Sequence, residues 1–336
     1  MDVLNALVAL TNYVIVPGLT YGSQLALGAL GVTLIYGVLR FSNFAHGDTM
    51  AFGTMVTILF TWWFKSMGVS AGVLPTALLA LPLGILATIG FVLGTDRVVY
   101  RFYRRAKAKP IILVIVSVGV MFVMNGLVRM IIGTAEQNFA DGARMALSPQ
   151  DFKAMTGLAE PLAIKTTQIV SVVVAVICVV LLFWFLTRTR AGKSMRAYAD
   201  NEDLALLSGI SPDRVVMITW IIAGTLACVA GTLYGLDKSF RPFIYFGLMM
   251  PVFASAIVGG LGSPLGAIAG GYLIAFSELL LTNAWKKFLS YLVPADWLGD
   301  GLYQALSTDY KVAVSFAILI IVLLVKPNGL FGGAAR

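Results

Sequence analysis

The sequence predicts an all-α fold, a polytopic integral membrane bundle formed as one domain over residues 1–336. Three observations carry this. Hydrophobic residues make up 59% of the chain and charged residues only 12%, against about 25% charged in soluble domains. The mean hydropathy is +0.90. Apolar runs recur at about 20 residues, the length that crosses a hydrocarbon core of about 30 Å. They do not alternate with period two, which argues against a β-barrel.

The elements follow in order. Residues 1–16 are apolar and uncharged apart from Asp2; they read as an interfacial helix on the outer face, with a further span as the alternative. No Lys or Arg precedes Arg40, so the segment lacks the positive region of a signal peptide. Spans are expected at 17–39, 44–64, 73–95, 110–132, 168–187, 215–236 and 309–325. The stretch 246–281 is too long for one span and is broken at Leu261-Gly262-Ser263-Pro264. It reads as two short spans or a re-entrant pair, for eight to nine membrane elements in all.

Basic residues orient the bundle. Segment 96–109 holds Arg97, Arg101, Arg104, Arg105, Lys107 and Lys109; segment 188–214 holds Arg188, Arg190, Lys193, Arg196 and Arg214. With Arg40, Lys326 and Arg336 these gather on one side, which the positive-inside rule makes cytoplasmic. The N-terminus is then outside and the C-terminus cytoplasmic. The net charge of +8 needs no nucleic acid: basic loops meet anionic lipid, and Tyr100, Phe102 and Tyr103 suit the headgroup level. Cys178 and Cys228 fall within apolar runs, and His46 is the only histidine. No metal site and no Ser-His-Asp triad is expected. Gly192-Lys193-Ser194 imitates the end of a phosphate loop, but Thr187 stands where that motif needs glycine.

Three blocks carry chemistry. In the first, Gly18, Gly22, Gly28, Gly31 and Gly37 allow close helix approach. The turn that follows contains Asn43, His46, Gly47 and Asp48 and is expected at the cytoplasmic junction of two spans, capping and bracing helix ends rather than moving protons. In the second, residues 188–214 form a polar loop with a short helix near 201–208. Asp200 or Asn201 can cap it, Glu202 and Asp203 oppose its dipole, Leu204, Leu206 and Leu207 give it an apolar side, and Gly209 and Pro212 end it. Capped ends and an apolar ridge suit a partner's groove better than an anionic leaflet. In the third, glycines around Pro264 form either a cavity-lining broken helix or a tight turn between packed helices. Intramembrane polar residues are candidates for a substrate path: Gln24, Asn125, Ser255 and Glu278. Of these, Asn125 and Ser255 interrupt apolar runs most clearly, while Glu278 lies near an outer end where solvent can reach it.

Asn43-Phe44-Ala45-His46-Gly47-Asp48, the run Arg190 to Ala197, Gly209-Ile210, Gly259 to Ser263 with Gly266-Ala267, and Lys326 to Gly332 occur in this order. Together they are similar to the permeases of branched-chain amino acid ABC importers, the LivH/LivM type, and nearer the LivH member. The resemblance spans about 17–332; residues 133–167 match no part of it. It implies a second, LivM-like permease, two cytoplasmic ATPase subunits and a periplasmic substrate-binding protein in a bacterial inner membrane. It further implies alternating access, with ATP and Mg held by the ATPases and no cofactor on this chain. Gly192, Arg196, Asp200, Ala205, Leu207 and Gly209 would form the ATPase-coupling element. The glutamate that often opens the family's coupling signature is replaced by Asp200-Asn201-Glu202 near its place. Urea and short amides are alternative substrates within such permeases. A secondary transporter or channel would need ionisable groups deep in its spans, and a membrane enzyme more than His46 and Asp48.

Overall fold

A computed structural model describes residues 2–72, 74–139, 144–292, 301 and 303–332. Arg336, counted above among the inner cations, and residues 140–143 of the outer insertion lie outside the described residues. Eight described helices are long and apolar enough to cross a membrane.

The first, α1, runs unbroken from Asp2 to Leu39. Residues 1–16 are therefore not a separate interfacial helix. Pro17 cannot donate to the carbonyl one turn back, and a π turn at Thr11–Ile15 absorbs the misfit without ending the helix. Next come α2 (His46–Ser66), α3 (Ala77–Arg105) and α4 (Pro110–Ile132). The outer insertion forms a small antiparallel pair, β1 (Met145–Leu147) with β2 (Ile164–Lys165), around α5 (Pro149–Thr156). The chain continues through α6 (Thr166–Arg188), α7 (Arg190–Asp200), α8 (Glu202–Leu207), α9 (Pro212–Lys238), α10 (Pro242–Gly259), α11 (Pro264–Thr282), the short α12 (Lys286–Leu289) and α13 (Lys311–Val325).

The core lies where α1 and α9 pack with α2, α10 and α11. α2, which is not among those eight, carries His46, Asp48 and a row of threonines, and neighbours enclose it. Its hydroxyls are satisfied locally: Thr49, Thr54, Thr57 and Thr61 each donate to the carbonyl four residues back at 2.7–2.9 Å. A threonine row thus behaves as nearly apolar surface.

The break in 246–281 is a tight turn between two packed helices, α10 and α11. Gly260 (φ 109°) and Gly262 (φ 88°) take left-handed backbone angles that other residues resist. The turn lies beside Gly37, near the Leu39 end of α1. The C-terminal segment returns to pair with it, Leu330 N donating to Val258 O (2.8 Å) and Phe331 N to Gly259 O (3.0 Å).

Gln137 and Phe240 form an antiparallel bridge. Beside it Glu136 accepts from Ser239 Oγ (2.5 Å) and Arg241 Nε (2.9 Å). These bonds, Ser239 first, hold the Glu136 carboxyl below its ordinary range.

Candidate functional site

Two places gather the functional candidates. The first is the start of α2. After Leu39, Arg40 takes a left-handed turn (φ 56°), and residues 41–45 run back into the bundle. His46 packs on Gly31, where an added Cβ would lie 2.8 Å from His46 Nε2, and a Cβ on Gly47 would lie 2.9 Å from Met249 Cβ. Gly31 is roughly 12 Å from the Leu39 end of α1 at about 1.5 Å per residue, so the chain from Asn43 to Asp48 runs back alongside α1 to that level.

Irregular backbone at that level must be satisfied by protein. Phe44 N donates to Ser117 Oγ of α4 (3.0 Å). Asn43 Oδ1 accepts from Ala45 N (3.2 Å) and from Tyr100 Oη of α3 (3.1 Å). Asp48 sits in the first turn of α2, where its charge suits the helix dipole. Asn125 Nδ2 of α4 donates to its Oδ1 at 2.8 Å. Asp48 Oδ2 and His46 Nε2 have no partner. Phe44 stacks on Phe253 at 5.2 Å, and Met121 and Met124 complete an apolar surround.

The path candidates separate. Asn125 joins the turn at the start of α2. Ser255 is buried in α10 and donates to Pro251 O of its own helix at 2.7 Å, so it faces packed helices. Gln24 Nε2 donates to Leu233 O (3.2 Å), leaving Oε1 unpartnered. Glu278 is buried rather than solvated and accepts from Ser315, tying α11 to α13.

The second place is the polar loop 188–214, which holds two helices and not one. α7 takes up the basic half. Its N-cap is Thr189, whose hydroxyl accepts from Gly192 N (3.0 Å), so Gly192-Lys193-Ser194 opens a helix. A Cβ on Gly192 would lie 2.6 Å from Leu186 Cα, which places α7 hard against the end of α6. The apolar stripe Met195 and Tyr198, three apart, signals this helix but is masked by flanking charges. Asp200 is the last residue of α7, and Asn201 is the cap of α8, accepting from Leu204 N at 3.0 Å. Gly209 closes α8 with φ 81°.

Ala205 is 3% exposed and faces the bundle, whereas Leu204 and Leu207 are 61% and 85% exposed. Ala205 anchors α8, and the leucines form its outer ridge. Tyr198 Oη donates to Glu202 across the joint (2.6 Å); burial and this bond push the phenol above its ordinary range. Arg40 donates to Ala199 O, fastening α7 to α1. The sequence offered no signal for that tie, nor for the partners that Ser117 and Tyr100 provide.

The whole chain has known counterparts. Residues 14–323 match the family described as branched-chain amino acid transport system / permease component. The permease protein LivH of the Escherichia coli K12 high-affinity branched-chain amino acid transport system is 32% identical over 94% of this chain and 93% of its own. BraD, the corresponding permease of Pseudomonas aeruginosa, is 30% identical over 95% and 94%. A probable LivH of Methanocaldococcus jannaschii is 28% identical over 93% and 90%. With its multi-pass bundle and near full-length similarity, the chain belongs to the family of branched-chain amino acid transport permease components.

Proposed function

We propose that this permease is the membrane subunit of an ATP-driven importer of branched-chain or other aliphatic amino acids, working by alternating access. The observation that carries the reading is α8: a helix capped at both ends, anchored by Ala205 and exposing Leu204 and Leu207. An exposed leucine ridge beside the basic α7 suits a groove in a cytoplasmic ATPase. α7 links it to α6 through Gly192 and to α1 through Arg40, so movement of α8 reaches the bundle. Gly192, Arg196, Asp200, Ala205, Leu207 and Gly209 act together as this joint.

The partners are two ATPase subunits, which hold ATP and Mg, a second LivM-like permease, and a periplasmic binding protein. The N-terminus is outside and the C-terminus cytoplasmic in the inner membrane. α4 exposes Ile115, Phe122, Val123 and Met130, an apolar face for lipid or the second permease. The start of α2 borders the substrate path, pairing an apolar surround with Asn125 and Asp48. This is the composition a zwitterion with a hydrocarbon side chain requires.

The test is reconstitution of the four kinds of subunit in vesicles with labelled leucine. Uptake should require ATP, both ATPases and the binding protein. Leucine uptake without an ATPase would defeat the ATP-driven reading, and uptake of urea or amides but not leucine would defeat the substrate assignment.

A further inference from the structure

One flank of α7 walls an open cavity of about 430 Å³ beside the ends of α1 and α6, within the size range of small-molecule sites. Its lining divides by chemistry. Lys193, Arg196 and Asp200, spaced three and four apart along α7, bring two cations and one carboxylate. Leu34 and Val38 of α1, Leu186 of α6 and Pro264 of α11 bring an apolar wall. Among the described residues, none of the three charged side chains is in an ion pair.

Thr33 also lines the cavity, at 1% residue exposure. Its hydroxyl lies beneath that lining and has no hydrogen-bond partner, whereas the threonines of α2 all bond back to their own helix. Pro264 opens α11, so the positive end of that helix borders the same space.

A molecule that meets this lining carries a carboxylate for Lys193 and Arg196, an ammonium for Asp200 and a hydrocarbon tail for the leucine–valine wall. A phosphate would leave Asp200 repelling it, and a simple amine would leave the two cations unused. We propose that the cavity binds a free aliphatic α-amino acid from the cytoplasm and that its occupation slows the transporter. A ligand clamped between α7 and the α1–α11 wall stabilises one placement of the coupling joint over others, by as much as it prefers that placement. The site is thus a sensor of accumulated product; this rests on the transport reading above.

The test uses the complete transporter in vesicles with its cytoplasmic face outward, binding protein and leucine in the lumen, and ATP hydrolysis as the readout. External leucine should lower hydrolysis several-fold, whereas glycine and 3-methylbutylamine should not. Lys193→Gln should raise the half-inhibitory leucine concentration roughly tenfold, the usual consequence of losing one charge-assisted hydrogen bond. Thr33→Val, which removes a hydroxyl lying beneath the lining, should leave it unchanged. Stimulation by luminal loaded binding protein should be unchanged in both variants. Hydrolysis indifferent to external leucine, with luminal stimulation intact, overturns the sensor while sparing transport. Inhibition that is equal in wild type and Lys193→Gln overturns the site. Absence of luminal stimulation overturns the transport reading itself.

Discussion

Removing the outer ridge of α8 should detach the ATPase without disturbing the membrane domain. The double variant Leu204→Ala, Leu207→Ala takes away two side chains that are 61% and 85% exposed and so contribute little to folding. Full burial of a leucine is worth about 1.5–3 kcal/mol. Scaled by the exposure lost on docking, the pair contributes about 3 kcal/mol, or roughly a hundredfold in affinity. Isothermal or surface-based titration of purified permease pair with ATPase measures this directly, and the melting temperature of the permease is the control. A hundredfold weaker association with an unchanged melting temperature is the expected outcome. An unchanged association constant would refute the docking assignment.

Further outcomes follow from other contacts. Gly209→Pro removes the N–H that donates to Leu206 O (3.0 Å) and forbids φ 81°; substrate-stimulated ATP hydrolysis should fall while membrane insertion, read by protease protection, is retained. Gly192→Ala sets a methyl 2.6 Å from Leu186 Cα, against backbone that cannot yield, costing about 1–3 kcal/mol; leucine uptake should drop more than ATPase binding. Asn125→Ala strips the donor from Asp48 Oδ1 when Oδ2 already lacks one, destabilising the domain by about 1–3 kcal/mol; an unshifted melting temperature would count against that pairing. Glu136 has a folded-state pKa below its unfolded value, so its tie to Ser239 and Arg241 holds at neutral pH and is lost as pH falls through the lowered value. Hydrogen exchange at 239–241 should rise only well below the ordinary carboxylate range.

Hydropathy made most of the fold legible, because lipid demands unbroken apolar helices and each announces itself in one dimension. α2 was readable for the same reason despite its threonines, whose hydroxyls fold back on the helix. The path of 40–48 was not readable. Arg40 marks a membrane boundary in sequence, yet the residues after it re-enter the bundle, paired with Ser117 and Tyr100, which are distant in sequence. The orientation of Ala205 was hidden as well. Residues 204–207 are apolar on every side, and only the angle that Gly192 and Thr189 impose on α7 decides which side faces in. Ser255 and Glu278 show the limit of reading intramembrane polarity as function: one is absorbed by its own helix, the other by a neighbour.

The unbroken α1 has a mechanical consequence. Its Asp2–Leu39 span makes a rod about 57 Å long, well beyond the thickness of the hydrocarbon. Near its outer end Asn5 Oδ1 accepts from Glu160 N (3.2 Å), and just past its inner end Arg40 grips Ala199 O. A tilt of about 5° about one end displaces the other by roughly 5 Å over that length. A displacement at the Arg40 end would therefore reach the Asn5 end through one continuous helix rather than residue by residue. The π turn at Thr11–Ile15 is the point at which that helix can flex.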